Sequence, residues 1–199
     1  MHPRIFAHFD LLAQRYGLRG SVLEVGATGT PDTLLNLPTL RAATRRIGIN
    51  LDPHAALPGI EFVTGNANHM PWLKDAVIDA VLCNSTLEHD ARFWLTLSEI
   101  RRVLKPGGVF LVGVPGYAEN RRRRLLDVAQ RVWRHPLPGA AALEAASAST
   151  RALIVHRFPA DYYRFGADAV REVFLEGMDM LEFTRLMDPP RFVAVGRRR

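Results

Sequence analysis

Three segments in a fixed order constrain the fold of this chain most strongly. They are VLEVGATGT (22–30), IDAVLCNSTLEH (78–89) and VLKPGGVFLV (103–112). In the first, an apolar strand carries an acidic residue and runs into a turn of small residues. Such a turn lies where an open α/β sheet lets a ligand approach its backbone, at the carboxyl end of a strand. The segments therefore predict an α/β sheet built around one nucleotide-like cofactor.

The turn after the first strand indicates which cofactor it would bind. A dinucleotide fingerprint has the form G-x-G-x-x-G, whereas this turn reads GATGT over residues 26–30, with Glu24 before it. It resembles motif I of the class I S-adenosylmethionine (SAM) dependent methyltransferases, E/D-x-G-x-G-x-G. Ala27 and Thr28 change the middle of that motif, and Thr30 replaces its last glycine.

Four later segments extend the resemblance in the right order over about the first 115 residues. GINLDPH (48–54) resembles the end of the second strand, and GNANHMPW (65–72) resembles the loop that holds the adenine. Residues 78–89 resemble the fourth strand, and SEIRRVLKPGGVFLVGVP (98–115) resembles the next helix, turn and fifth strand. The resemblance implies a Rossmann-like, doubly wound α/β fold. Its seven-stranded sheet would be mostly parallel, with an antiparallel hairpin at the C-terminal edge.

The resemblance also assigns the cofactor, SAM, whose demethylated product is S-adenosylhomocysteine. The first glycine turn would hold the amino-acid part of SAM, the end of the second strand the ribose, and the loop after the third strand the adenine. The expected cofactor-binding residues are Glu24, Gly26, Ala27, Gly29, Asn50, Leu51, Asp52, Asn66, Ala67 and Asn84.

Two of these positions depart from the family pattern. The family usually has an acid at the position of Asn50, where it accepts hydrogen bonds from the ribose, and another at Asn66, where it accepts from the adenine amino group. An amide still accepts, but it carries no charge and its nitrogen needs an acceptor of its own. Since strand residues two apart face the same side, Asp52 is an alternative ribose ligand.

Composition bounds the domain organisation. A chain of 199 residues that is 48% hydrophobic is long enough for one well-buried α/β domain, predicted to span residues 1–199 with a helical insert or lid at about 116–158. A single cysteine, Cys83, excludes a disulfide framework within one chain. No apolar run approaches the roughly 20 residues that span a bilayer. These features predict a cytoplasmic protein.

Periodicity and turn residues predict the individual elements. Helices are expected at 3–16, 91–104, 121–133 and 167–175, with an alanine-rich helix that ends near residue 154. Strands are expected at 21–25, 46–51, 60–64, 76–83 and 109–114, and the last pair, 180–186 and 191–196, should form an antiparallel hairpin.

The residues after the fourth strand bear on the methyl acceptor. Base and glutamine N-methyltransferases have a [D/N/S]-P-P-[Y/F/W] motif there that cradles an amino group, but in this chain Ser85 and Thr86 follow Asn84. This difference favours oxygen over nitrogen as the acceptor atom. A hydroxyl acceptor needs a base, and His89 is the candidate, with helix capping or packing beside the cofactor as its alternative role.

A second candidate acceptor region is HRFPADYYRFGADAVREVF (156–174). It resembles a segment of small methyltransferases associated with bacterial glycan, envelope or secondary-metabolite pathways. Tyr162 and Asp161 are its candidate catalytic residues, and Tyr117 is a further acceptor contact. The alternative is structural packing, with Asp161 paired to an arginine. No histidine or carboxylate cluster has metal-ligand spacing, so no metal is expected.

The formal net charge of +6 comes almost entirely from arginine. The predicted basic amphipathic helix at 121–134 would serve as a lid or pack against the domain; alternatives are peripheral contact with an anionic membrane and contact with nucleic acid, for which no RNA-binding motif is present. Oligomeric state is not determined by the sequence.

Together these patterns predict a SAM-dependent methyltransferase for a small or medium-sized acceptor, with O-methylation favoured over N-methylation. An RNA methyltransferase is one alternative. The two amides at positions 50 and 66 suggest another, a non-catalytic module that binds SAM or a protein partner.

Overall fold

The computed structural model describes residues 1–54, 56–119, 150–152 and 160–199. The first element is helix α1 (Pro3–Arg15), which begins at a proline and buries one apolar stripe, formed by Ile5, Phe9, Leu12 and Ala13. Proline is well tolerated in the first helical turn because the missing N–H has no partner there in any case.

A seven-stranded sheet forms the centre of the fold. In chain order the strands are β1 (Ser21–Val25), β2 (Arg45–Asn50), β3 (Glu61–Thr64), β4 (Ile78–Asn84), β5 (Leu104–Pro115), β6 (Tyr117–Glu119), β7 (Thr150–Ala152), β8 (Met178–Leu186) and β9 (Arg191–Arg198). The sheet order is β3-β2-β1-β4-β5-β9-β8, and β6 pairs with β7 in a separate two-stranded sheet. Strands β1 to β5 are parallel, whereas β9 is antiparallel to both β5 and β8. This arrangement confirms the predicted fold.

Both faces of the sheet are covered, which explains why its central strands are almost continuously apolar. On one face, α1 and two 3-10 helices (Leu34–Asn36 and Pro38–Ala42) pack over residues such as Val22 and Leu82. On the other face, helix α2 (Phe93–Val103) and a π-helix (Ala169–Phe174) pack in the core that contains Leu23 and Val81. The residues that these two helices bury in this core include Leu97, Ile100, Val170 and Phe174.

Strand β1 lies at the point where the strand order reverses. Its register places Val25 opposite Ile49 of β2 on one side and opposite Cys83 of β4 on the other. In open α/β sheets, ligands bind in the crevice outside the carboxyl ends of the strands at this switch point. The glycine turn that follows Val25 therefore lies at the mouth of that crevice.

The alanine-rich helix predicted to end near residue 154 is wrong at its C-terminal end. Residues Tyr117–Glu119 and Thr150–Ala152 are antiparallel strands that pair with each other, so the alanine-rich helix does not reach residue 154. Pairing across this distance in sequence overrides local helix propensity. The predicted helix at 121–133 lies outside the described residues.

Other differences concern the ends and type of elements. Strand β5 starts at Leu104 rather than at residue 109, because Leu104 already pairs with Ile78 of β4. The helix expected at 167–175 is a π-helix over Ala169–Phe174. Within the described ranges, no helix has the length and apolarity to cross a membrane.

Candidate cofactor and acceptor cleft

A cleft of about 1200 Å³ opens at the carboxyl ends of β1 to β4. Its volume exceeds the roughly 300–1,000 Å³ of typical small-molecule sites, so it has room for a cofactor and a second small ligand. The predicted site residues that line it are Glu24, Gly26, Asn50, Leu51, Asp52, Asn66, Ala67, Asn84, His89 and Tyr162. The predicted residues Ala27, Gly29 and Asp161 are not part of its lining.

Gly26 leaves bare main chain at the centre of the cleft. Its φ of +80° lies in the left-handed region, and a Cβ atom there would lie 2.0 Å from Oγ1 of Thr86. The Thr86 hydroxyl donates to the Val25 carbonyl at 3.2 Å, while the N–H of Gly26 donates to the Ile49 carbonyl at 2.9 Å. Only glycine fits this position without strain.

Glu24 has a structural role that the sequence did not indicate. Its buried carboxylate accepts hydrogen bonds from the Thr33 hydroxyl and from the N–H groups of Leu34 and Leu35, at 3.2 and 3.1 Å. Burial raises the pKa of Glu24 to about 7, although these hydrogen bonds oppose the shift. The side chain thus anchors the segment that follows the glycine turn, and its contact with SAM stays a prediction.

The amide at Asn50 connects β2 to the glycine turn. Its Nδ2 donates to the Ala27 carbonyl at 2.8 Å, and its Oδ1 accepts from the N–H of Leu51 at 2.7 Å. A carboxylate could not make the first of these bonds, because it has no donor. Next to Asn50, the exposed side chains of Leu51 and Asp52 line the cleft on the side predicted for the ribose. Ala27 is itself buried in the core, so only its backbone takes part.

On the side predicted for the adenine, Asn66 forms a local turn. Its Oδ1 accepts from the N–H of Asn68 at 2.9 Å. Ala67 packs partly against the core below and also lines the cleft. The second lone pair of the Asn66 carbonyl and its NH₂ group suit the edge of a purine, which presents both a donor and acceptors.

His89 lies just beyond β4 and lines the cleft at the end where the sequence predicts the methyl acceptor to bind, here called the acceptor end. Its Nδ1 lies 3.2 Å from the carbonyl oxygen of Ala160. A carbonyl only accepts, so Nδ1 carries the proton in this contact and Nε2 is the basic nitrogen. Tyr162, which is 56% exposed, lines the cleft, and its N–H donates to the Glu88 carbonyl at 2.8 Å.

Asp161 precedes Tyr162 in the chain but does not line the cleft. Its side chain is 3% exposed and forms a bidentate ion pair with Arg164, with a distance of 2.6 Å between Nη2 and Oδ2. This is the arginine pairing that the sequence left open as an alternative. The catalytic role predicted for Asp161 stays a prediction, and the geometry supports a role in holding the loop that carries Tyr162.

Two further charged residues lie at the acceptor end. Arg191, the first residue of β9, lines the cleft and donates to the hydroxyl of Ser85, which is 106 positions away in sequence. Glu88 is fully buried, and neither of its carboxyl oxygens has a hydrogen-bond partner among the described residues. Burial raises the pKa of Glu88 to about 7. Sequence reasoning missed Arg191, because no local pattern places the start of β9 beside the end of β4.

A family model described as "Methyltransferase domain" matches residues 24–112, which include the glycine turn, β2, β3, β4 and most of β5. The N-methyltransferase NodS from Bradyrhizobium japonicum WM9, solved with S-adenosylhomocysteine, shares the fold. Its TM-score is 0.63 at 15% identity, with 98% of this chain and 86% of that one covered. The family match and the shared fold support a class I SAM-dependent methyltransferase.

Sequence relatives of this methyltransferase differ in their acceptor atoms. A ubiquinone/menaquinone biosynthesis C-methyltransferase of Caulobacter sp. (strain K31) is 37% identical over 83 residues, 42% of this chain and 31% of that protein. A fatty-acid O-methyltransferase of Mycolicibacterium smegmatis (strain ATCC 700084 / mc(2)155) is 44% identical over 55 residues, 28% of this chain and 20% of that protein. The methyltransferase thus spans less than a third of the length of either relative.

The cleft of this methyltransferase fits the family cofactor, SAM. The backbone of Gly26 lines the cleft, and a side chain there would displace Thr86, which lines it as well. Two amides and a carboxylate, Asn50, Asn66 and Asp52, follow in the lining and would face the ribose and the adenine. Among the described residues, no group of histidine, cysteine, aspartate and glutamate side chains could hold a metal ion.

Proposed function

We propose that this methyltransferase transfers a methyl group from SAM to an oxygen atom of a small or medium-sized acceptor. The observation that carries the proposal is the orientation of His89, whose Nδ1 faces the Ala160 carbonyl and so leaves the basic character on Nε2. A base at the acceptor end of the cleft is what a hydroxyl acceptor needs and what a carbon or amine acceptor can do without.

The cofactor would lie across the carboxyl ends of the first three strands. The Gly26 backbone would hold its amino-acid part, Asp52 its ribose and Asn66 its adenine. When bound, SAM supplies a methyl group activated by a positive sulfonium. The protein then has to align the acceptor and exclude water, which is mainly a proximity contribution.

His89 and Tyr162 would act on the acceptor itself. The Nε2 of His89 would take the proton that the acceptor hydroxyl loses as its oxygen gains the methyl group. The half-exposed ring of Tyr162 would cover the acceptor on the solvent side, and its hydroxyl would donate to a polar group. General base catalysis of this kind contributes roughly 10²- to 10⁴-fold in rate.

The relatives give an oxygen acceptor a precedent, since one of them is named a fatty-acid O-methyltransferase. A role in glycan, envelope or secondary-metabolite synthesis is proposed from the segment at 156–174 alone, of which residues 160–174 are described. A cytoplasmic location stays a prediction.

The test is a turnover assay with SAM against a panel of small hydroxyl, amine and activated-carbon acceptors, in which S-adenosylhomocysteine and the methylated atom are both identified. We expect methylation at oxygen. His89→Gln should lower kcat by about 10²- to 10⁴-fold and leave the affinity for S-adenosylhomocysteine unchanged. The matched control is His69→Gln, because His69 is exposed and does not line the cleft. Methylation at nitrogen, or full activity of His89→Gln, would refute the proposal.

A further inference from the structure

The acceptor end of the cleft carries a guanidinium group that has no carboxylate partner among the described residues. Arg191 is half-buried and lines the cleft, and within the described part of the chain its side chain donates one hydrogen bond, to the hydroxyl of Ser85. A guanidinium has five N–H donors. Arg164, which lies nearby, is different, because two of its nitrogens are taken by the bidentate pair with Asp161.

The acidic group that faces Arg191 is Glu88, which does not neutralise it fully. The two residues interact electrostatically, but they form neither a hydrogen bond nor an ion pair. Because burial raises the pKa of Glu88 to about 7, much of this carboxyl group is protonated near neutral pH. Arg164, the other charged group that acts on Arg191, is paired with Asp161. When Glu88 is protonated, the positive charge of Arg191 is therefore not compensated by the groups that act on it electrostatically.

Ser85 adds a second donor beside this charge. Its hydroxyl oxygen accepts from Arg191 and also from Nδ2 of Asn84, at 3.1 Å. A hydroxyl has two lone pairs and one proton. With both lone pairs occupied, the Ser85 proton is left to donate, and Ser85 lines the cleft.

A half-buried guanidinium and a hydroxyl donor on one wall match a planar anion. A carboxylate accepts two parallel hydrogen bonds from a guanidinium, and such charge-assisted bonds are stronger than neutral ones. A bound carboxylate would also compensate the charge of Arg191, because a desolvated charge without a partner is costly in free energy. Burial also lowers the pKa of Arg191, which a bound anion would reverse.

We propose that the methyl acceptor carries a carboxylate group, and that Arg191 and Ser85 bind it. The inference rests on the proposed function in one respect, that the small molecule bound beside SAM in the cleft is the methyl acceptor. The carboxylate anchors the acceptor at the end of β4, beside His89. A carboxylate is also present in SAM itself, so the test separates the two sources.

The test is equilibrium binding by calorimetry, with the protein saturated with S-adenosylhomocysteine so that no chemistry takes place. The probes are two matched pairs, benzoate with benzamide and octanoate with octanamide. We expect at least one carboxylate to bind tenfold or more tightly than its amide. Arg191→Gln should abolish this preference, and Arg191→Lys should retain part of it. Arg185→Gln is the control, because Arg185 is exposed on β8 and does not line the cleft.

Ser85→Ala provides a second variant, and it should weaken carboxylate binding severalfold. Equal binding of acid and amide, binding of neither, or a preference that survives in Arg191→Gln would each overturn the inference. A tenfold loss of affinity for S-adenosylhomocysteine itself in Arg191→Gln would also overturn it, because Arg191 would then hold the cofactor carboxylate. Since these experiments need no methyl transfer, the proposal of O-methylation can fail in the turnover assay without changing their outcome.

Discussion

The side-chain amide of Asn50 donates a hydrogen bond of 2.8 Å to the carbonyl oxygen of Ala27, and this bond ties the end of β2 to the glycine turn after β1. The family usually has an acid at this position. In this protein the amide has a structural function that an acid cannot perform, because the Ala27 carbonyl needs a donor.

Restoring the acid of the family is therefore expected to be harmful. Asn50→Asp would place a carboxylate oxygen against the Ala27 carbonyl and leave that carbonyl without its partner. We expect the free energy of unfolding of the unliganded protein to fall by about 1–3 kcal/mol. Urea denaturation followed by circular dichroism measures this change.

The matched control is Asn66→Asp, the other amide that replaces a family acid. The Asn66 side chain accepts from the N–H of Asn68, and an aspartate keeps that acceptor. Its stability should stay within about 0.5 kcal/mol of the wild type. Equal losses in the two variants, or none in Asn50→Asp, would show that the Ala27 contact contributes little.

Gly26→Ala should remove binding of S-adenosylhomocysteine. The added Cβ would lie 2.0 Å from Oγ1 of Thr86, at a φ of +80°. Thr86 cannot move without losing its hydrogen bond to the Val25 carbonyl. We expect the dissociation constant, measured by calorimetry, to rise at least tenfold.

Gly17→Ala separates the steric contact with Thr86 from the cost of a positive φ, the two causes of the effect in Gly26→Ala. Gly17 also has a positive φ, +61°, but nothing lies within 4 Å of its added Cβ. In this variant the free energy of unfolding should fall by only the roughly 1–2 kcal/mol that a left-handed backbone costs a non-glycine residue. Its affinity for S-adenosylhomocysteine should equal that of the wild type. If Gly26→Ala binds as tightly as Gly17→Ala, the steric argument for the glycine turn is wrong.

The stability of the fold should decrease with rising pH through the neutral range, partly because of Glu88. The pKa of Glu88 rises from 4.5 in the unfolded chain to about 7 in the fold. The folded state therefore holds a proton that the unfolded state has lost, so the stabilisation is complete below the lower value and is lost as pH rises through the higher one. Glu24, with its pKa also near 7, acts in the same direction.

Glu88→Gln should make this pH dependence shallower. Each group contributes up to about 1.4 kcal/mol per pH unit to the slope of the unfolding free energy against pH. The measurement is the free energy of unfolding at several pH values between about pH 5 and about pH 8. His8, whose pKa is lowered by burial, acts in the opposite sense in both proteins and cancels in the comparison. Glu61→Gln is the control, since Arg45 lowers the pKa of Glu61 and its titration lies below this range. An unchanged slope in Glu88→Gln would show that Glu88 is ionised throughout.

Asp161→Asn should reduce stability rather than act on turnover alone. It would break a pair in which the side chains are 3% and 16% exposed, and leave the Arg164 charge buried. Breaking a buried pair costs about 3–5 kcal/mol. Thermal and urea unfolding measure the loss.

Asp168→Asn is the control, because it breaks an ion pair with the same sequence spacing at the protein surface. Asp168 and Arg171 also lie three residues apart, but their side chains are 83% and 43% exposed. Surface pairs contribute about 0–1 kcal/mol, so this variant should have nearly wild-type stability. If Asp161→Asn unfolds like the wild type but has lost turnover, the catalytic role predicted from the sequence is right instead.

The elements whose signal is local could be predicted from the sequence. The apolar runs at β1, β4 and β5, the glycine turn at Gly26 and the final hairpin all follow from the pattern of neighbouring residues. Residues that follow parallel strands lie at one edge of the sheet, so Asp52, Asn66 and His89 could be placed in a single cleft. The pairing of residues 117–119 with residues 150–152 could not be predicted, because the two segments are far apart in the sequence.

By itself, the sequence indicated the family resemblance, the fold and the edge of the sheet at which the cleft opens, because periodicity and turn chemistry act over a few residues. Only the tertiary structure decided which partner each polar side chain meets. Asn50 turns to the Ala27 carbonyl, and Arg191 reaches Ser85 across 106 positions. These contacts depend on strand order and register, which bring together residues whose positions in the chain carry no information about each other.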